Sequence, residues 1–297
     1  MIVHLVTDDK FLNHFFIPNL KRFVGLEDHL FLLHYNGNSP LNPVKDPAVQ
    51  VEYVTTAEIY PTLSALKGIR KVIIHCFTDH MRKAVASTPK GVEVIAIVYG
   101  YEWYKYVNND AWDLYQPKTK AFLSSPVTAK PPSILKPLTW LKYKHWQGLI
   151  KKSFNRIDKI AHYLPAEYEL FKRNVDLSAC LLDFNMGVLD QTLDLDSLGG
   201  EFPDAENILL CNSAALTNNH LDCMHAIDKS SLSPKAKIYC PLSYPDVSKA
   251  YIDEVVRVGQ DLFGTQFIPL LDFMPAVKYN EILESCGIIL MNQYRSQ

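Results

Sequence analysis

Residues 99–106 read YGYEWYKY, a single carboxylate, Glu102, among Tyr99, Tyr101, Trp103, Tyr104 and Tyr106. Aromatic faces cover the apolar faces of sugar rings. A carboxylate among them, its pKa set by its surroundings, can act as a general base. The same residues also suit plain packing over a sheet edge with Glu102 in solvent. A second stretch, ILLCNSAALTNNHLDC (208–223), runs from apolar residues into Asn212 and Ser213 and then into Thr217, Asn218 and His220. Thr217 or Asn218 is the expected N-cap of a helix, and the free N–H groups of such a helix suit a phosphate or diphosphate. The alternative is a turn closed by Asn and Ser, with His220 solvated.

Other polar residues follow apolar runs. Asp8 and Asp9 lie in TDDK (7–10), and His75 ends the strand-like KVIIHC (71–76). A lone histidine at a strand end is more often a hydrogen-bonded structural residue than a catalytic one. Asp79 and His80 nearby do not by themselves make a dyad. The run DLD (194–196) matches a metal-binding Asp-x-Asp pattern but sits in an expected linker, so no metal is assigned. The segment 129–152 carries Lys130, Lys136, Lys142, Lys144, Lys151 and Lys152 without an acidic residue, with Trp140, Tyr143 and Trp146 between them. Trp146, Leu149 or Ile150, Phe154 and Ile157 have helical spacing. Such a segment can lie on an anionic membrane, or pack on the domain by that stripe with its lysines solvated. Unbalanced lysines favour the membrane, with Lys136, Trp140, Lys142, Lys144 and Lys151 as contacts.

Short apolar runs must hold these residues in place. They fall at 2–6, 30–34, 49–54, 71–76, 92–98, 159–164 and 179–184, with amphipathic segments between several of them. Continuous apolar strands alternating with helices predict a parallel sheet covered on both faces. Residues 191–206, acidic with Gly199, Gly200 and Pro203, predict a linker. The alternation then restarts with strands at 207–211, 236–240, 267–271 and 287–292 and a helix over 249–263. The expected fold is α/β and GT-B-like: two Rossmann-like doubly wound domains, at 1–190 and 207–297, the second incomplete. The chain reads as C-terminally shortened, its uncovered sheet edge suited to a neighbouring copy in a homodimer.

With 297 residues, 48% hydrophobic, the chain can bury two cores. A formal net charge of -2 argues against nucleic-acid partners. Six scattered cysteines without a CxxC pair predict free thiols. MIVHLVTDDK lacks the basic region and cleavage pattern of a signal peptide.

CNSAALTNNH, CPLSYPDVSKAYIDEV and ILESCGIILMNQYRSQ resemble the TDP-N-acetylfucosamine:lipid II N-acetylfucosaminyltransferases, the 4-alpha-L-fucosyltransferase-like enzymes of glycosyltransferase family 56. IIHCF and YGYEWY resemble that family's His-Gly-x-Phe and Trp-Gly-x-Asp-Leu-Tyr stretches. The resemblance implies inverting transfer without a metal or other cofactor, from a nucleotide-diphosphate sugar to a polyprenyl-diphosphate-linked saccharide. It places a peripheral enzyme of bacterial surface-polysaccharide synthesis at the cytoplasmic face of the inner membrane. Asn212, Ser213, Asn218 and His220 match Gly-Asn-Ser-x4-Asn-x-His, with Cys211 in place of glycine. Tyr244 matches Gly-Tyr-Pro, and Arg295 and Gln297 the start of an Arg-Gln-Gln loop. These residues would face the donor. His75, Tyr99, Gly100 and Tyr104 fall on the acceptor side, where Glu102 is the expected base and Asp8 the next candidate. A non-catalytic two-domain sugar-binding protein is the alternative; the missing signal peptide and reduced cysteines weigh against it.

Overall fold

The computed structural model describes residues 1–7, 12–100, 115–125, 147–175, 177–184, 206–244 and 248–293. These divide into two compact units; 115–125, 206–244 and 248–293 make up the second. In chain order the elements are β1 (Ile2–Thr7), α1 (Ile17–Phe23), β2 (His29–His34), β3 (Gln50–Val54), α2 (Ile59–Ala65), β4 (Lys71–His75), α3 (Arg82–Ser87), β5 (Glu93–Ile97), α4 (Pro117–Leu123), α5 (147–155), β6 (Lys159–His162), α6 (Pro165–Val175) and β7 (Cys180–Asp183). Then follow β8 (Asn207–Leu210), α7 (His220–Ala226), β9 (Ile238–Pro241), α8 (Lys249–Phe263), β10 (Phe267–Leu270), α9 (Ala276–Glu284) and β11 (Cys286–Leu290).

The first unit holds a seven-stranded sheet in the order β3-β2-β1-β4-β5-β6-β7, with every neighbouring pair parallel. Side chains alternate between its faces. Val3, Leu5, Leu30, Leu32, Val72 and Ile74 enter one apolar layer with Phe154, Ile157 and Phe171. Val6, Phe31 and Leu33 enter another with Ile17 and Leu20 of α1. Both faces are therefore buried, which explains the unbroken apolar runs. Strand order reverses between β1 and β4, and open α/β sheets bind ligands outside the carboxyl ends at such a point.

Arg82 ties α3 to α5 inside this unit. It is wholly buried, stacks over Phe77 and Phe154 at 4.6 and 5.1 Å, and donates to Asp79 and to Ser153 Oγ. Phe154 and Ile157 are 2% exposed, and Ile150 packs against the same core. The described part of the aromatic stripe thus packs on the domain, as the second of the two sequence readings has it, while Lys151 and Lys152 stay exposed.

The second unit holds the order β10-β9-β8-β11, again all parallel. α8 begins where Ser248 Oγ accepts from the Tyr251 N–H at 3.3 Å. Lys249–Asp253 and Arg257–Asp261 pair at i,i+4 on its outer side. Tyr251, Val255, Val258 and Phe263 line its buried side, and Gly264 at φ 59° stops it. A Cβ on Gly259 would lie 2.5 Å from the Phe267 ring, so glycine lets α8 close on β10. Gly259→Ala is expected to destabilise by about 2 kcal/mol, because overpacking outweighs a helix-propensity gain of about 1 kcal/mol. A urea midpoint at or above the wild-type value would contradict this packing.

The unit boundary corrects the expected domain at 1–190, because α4 belongs to the second unit. Asp222 of α7 holds it there, accepting from the N–H groups of Lys118 and Thr119 at 2.8 and 2.9 Å and from Thr119 Oγ1 at 2.8 Å. A carboxylate at a helix start satisfies N–H groups the helix itself cannot.

Candidate functional site

Two strand-end clusters carry the polar residues, one in each unit. In the second, β8 ends at Leu210, and Cys211 after it adopts φ 61° and turns the chain sharply. Asn212 is then exposed and Ser213 half-buried. Asn218, wholly buried, fixes this turn from behind. Its Nδ2 donates to the Ser213 carbonyl at 2.6 Å, to Ser213 Oγ at 3.1 Å and to Asn212 Oδ1 at 3.3 Å. Gln293, just past β11, donates to Asn212 Oδ1 at 3.0 Å. Asn292 exchanges side-chain hydrogen bonds with Gln116 at 3.1 and 3.2 Å, and Gln116 N–H donates to Asn219 Oδ1 at 2.8 Å. These amides line the carboxyl ends of β8 and β11, where the strand order of this sheet reverses. Gln116, Asn292 and Gln293 were not singled out in the sequence, since no spacing marks residues that meet across 176 positions.

Two expectations about this turn are corrected. The helix starts at His220, not after Thr217 or Asn218; Asn219, at φ 51°, precedes it, and its side chain does not cap it. His220 is not solvated, as the alternative reading had it, and its buried Nε2 makes no hydrogen bond among the described residues. It is wholly buried, with Nδ1 hydrogen-bonded to Tyr251 Oη at 3.1 Å. Burial pushes its pKa down to about 4, against the raising influence of the Ser213 backbone. Tyr244 is half-exposed, and its carbonyl accepts from Ala214 N–H at 2.6 Å. The Cys223 thiol and burial together hold Cys211 far above the ordinary thiol range. The six cysteines form no disulfide.

In the first unit, β4 ends in His75, buried, and Cys76 follows at φ 60°. His75 Nε2 is hydrogen-bonded to His4 Nδ1 at 3.0 Å, and His4 Nε2 to His29 Nδ1 at 2.7 Å. His4 stacks on Phe31 at 4.3 Å, and Phe16 meets His75 edge-on at 4.1 Å. Tyr99 packs on the Ile95–Ile97–Ala161 cluster, and Gly100 takes φ 98°, where a side chain would be strained. At the same edge Thr56 Oγ1 bridges His34 Nε2 at 2.9 Å and His80 Nδ1 at 3.3 Å, with the two rings stacked. His162 ends β6, accepts from the Leu164 N–H at 2.9 Å and meets Glu167 at 2.9 Å. Asp8, Glu102, Tyr104, Lys136, Trp140, Lys142, Lys144, Arg295 and Gln297 lie outside the described residues.

Burial sets a pH dependence. It lowers His4 well below 6.5, with His75 and His29 adding to the effect, and takes His75 to about 3 and His220 to about 4. Each folded pKa lies below the unfolded one, so these rings stabilise fully above pH 6.5. As pH falls below 6.5 the unfolded chain binds protons the folded chain refuses. Stability is expected to drop by about 1.4 kcal/mol per pH unit for each ring. Asp46, paired with Lys21, and Glu93, paired with Lys159 and Lys71, are held low and titrate beneath this window. Urea midpoints at pH 7.5 and 5 should therefore differ clearly; equal midpoints would contradict the burial of these rings.

Residues 184–297 match the model of the 4-alpha-L-fucosyltransferase family, glycosyl transferase group 56. The whole chain is similar in structure to OtsA in its apo form, with TM-score 0.58 and 10% identity over 99% of this chain and 78% of that one. Sucrose-phosphate synthase from Thermosynechococcus elongatus gives TM-score 0.57 and 9% identity over 99% and 76%. The alpha,alpha-trehalose 6-phosphate synthase from Burkholderia multivorans gives 0.55 and 9% over 100% and 78%. At such identities the likeness speaks for the fold, two parallel α/β units of GT-B type. Residues 184–297 are thus similar to the group 56 4-alpha-L-fucosyltransferases, and the two findings together support a glycosyltransferase.

Proposed function

We propose that the chain transfers an amino-deoxyhexose such as N-acetylfucosamine from a nucleotide-diphosphate donor to a polyprenyl-diphosphate-linked saccharide, with inversion and without a metal. The carrying observation is the amide-lined turn at Asn212 and Ser213, inside the segment that matches the fucosyltransferase family. Asn212, Ser213 and Gln293 offer neutral donors and acceptors suited to a nucleotide-sugar, and Tyr244, Arg295 and Gln297 complete the donor set. Preorganised polar groups of this kind stabilise a leaving diphosphate as charge develops. Glu102 serves as the base toward the acceptor hydroxyl, with Asp8 next in line. Donor recognition is tested by thermal shift against nucleoside diphosphates and their sugars. A ligand at 100 times its Kd stabilises by about 2.7 kcal/mol. A rise confined to one base identity supports the reading; no rise with any nucleotide at millimolar concentration overturns it.

The acceptor's lipid carrier places the enzyme on the cytoplasmic membrane surface. No helix among the described residues is long and apolar enough to cross a membrane. Because the described stripe of α5 is packed inward, the lysines carry this contact. Charge reversal at Lys142, Lys144 and Lys151 is expected to weaken binding to anionic vesicles by about 1 kcal/mol per lysine. Unchanged flotation would remove the membrane role.

A further inference from the structure

Three buried histidines cross the first sheet in one line. His29 opens β2, His4 lies within β1 and His75 closes β4. The register explains their meeting: His4 pairs with Phe31 and with Ile73, so His29 and His75 sit two residues back and two residues on. Two-residue steps keep a side chain on the same face. The line therefore runs diagonally from the amino edge of the sheet to its carboxyl edge. At the outer end His29 neighbours the surface ion pair Asp28–Arg70. At the inner end His75 stands where the strand order reverses.

Polar rings in an apolar layer are costly unless their nitrogens are paired. Here the two hydrogen bonds use both nitrogens of His4, Nε2 of His75 and Nδ1 of His29. His75 Nδ1 and His29 Nε2 are the two ends left over. A neutral imidazole carries one N–H and one lone pair, so the chain has two arrangements, each with every N–H pointing the same way along it. Accepting a proton at one end and releasing one at the other converts the first arrangement into the second.

We propose that His75, His4 and His29 form a relay that carries the proton of the acceptor hydroxyl away from the transfer site. This rests on the glycosyltransferase reading of the chain. The O–H bond of the acceptor breaks and its electron pair forms the bond to the anomeric carbon. The bond from that carbon to the diphosphate oxygen breaks, and its pair leaves with the nucleotide. The base takes the proton and returns to its carboxylate as a proton arrives at His75 Nδ1, the His75 Nε2 proton passes to His4 Nδ1, the His4 Nε2 proton passes to His29 Nδ1, and the His29 Nε2 proton passes to water. After products leave, a proton entered at His29 and one released at His75 restore the chain. Concerted shifts keep every ring neutral. That suits rings which burial prevents from holding a charge, with His75 lowered to about 3.

The test uses the full chain with ¹⁵N-labelled histidine, compared with His4→Phe and His29→Asn. The phenyl ring keeps the stack on Phe31 and removes both central nitrogens. The asparagine holds one hydrogen bond at the outer end but passes no proton on. Imidazole ¹⁵N spectra need no substrate. In the wild type the tautomers of His75 and His29 should change together, and in either variant His75 should settle into a different tautomer balance. With thymidine-diphosphate N-acetylfucosamine and a polyprenyl-diphosphate-linked saccharide, kcat should fall roughly 10-fold or more in both variants with KM little changed. The rate in mixed H₂O and D₂O should be curved for the wild type and linear for the variants. An unaltered His75 tautomer in both variants overturns the relay, and so does an unchanged kcat in a transferring enzyme. Wild-type failure to transfer that sugar counts against the functional reading alone, while the spectra still decide on the relay.

Discussion

Glu102→Gln is expected to lower the transfer rate by on the order of 100-fold or more, because glutamine keeps size and hydrogen bonding but cannot take a proton. The residue follows β5, whose carboxyl end lies two strands from β1 in the first sheet. Gly100, two residues before it, takes φ 98°. Donor binding should survive, since Glu102 belongs to the acceptor side of the proposal. The measurement is single-turnover transfer with donor affinity in parallel. Near-normal turnover would move the role to Asp8, whose Asn variant would then show the loss.

Asn218→Asp is expected to destabilise the second unit by on the order of 4 kcal/mol. The asparagine is wholly buried, and its one amide nitrogen serves three oxygens, from Ser213 twice and Asn212 once. Aspartate has no N–H and would set a carboxylate against those oxygens, away from water. The turn would open and release Asn212, so nucleotide affinity should fall with stability. Asn218→Ala, which leaves the Ser213 carbonyl without this donor, is expected to cost about 2 kcal/mol. A urea midpoint for Asn218→Asp within error of the wild type would contradict the geometry of the turn.

The strands were legible because each is a short apolar run bounded by turn residues, and the parallel sheets bury both faces of them. α8 spans Lys249–Phe263, matching the predicted 249–263, since Ser248 and Gly264 mark its ends. Cys211 stands where the resembling family has glycine, and its φ of 61° gives the reason glycine suits that position. Long-range partners were not legible. His4 sits inside the apolar run IVHLV, and nothing local says that His29 and His75 will meet it. His220 stands at a turn, and nothing local says that its ring is buried against Tyr251, 31 residues away. α4 crosses to the second unit through Asp222, about a hundred positions on, which no period or composition records. The stripe through Phe154 and Ile157 had the same spacing for a membrane or for a core, and the buried Arg82 side chain beneath it decided for the core.

The central claim is sugar transfer from a nucleotide-diphosphate donor onto a lipid-linked acceptor without a metal. Its most direct measurement follows radiolabelled sugar from thymidine-diphosphate N-acetylfucosamine into the organic-extractable lipid fraction, with excess EDTA present. The expected result is one labelled sugar in the lipid for each nucleoside diphosphate released, at a rate EDTA leaves unchanged. Nucleotide release with no label in the lipid, or transfer that EDTA abolishes, would contradict it.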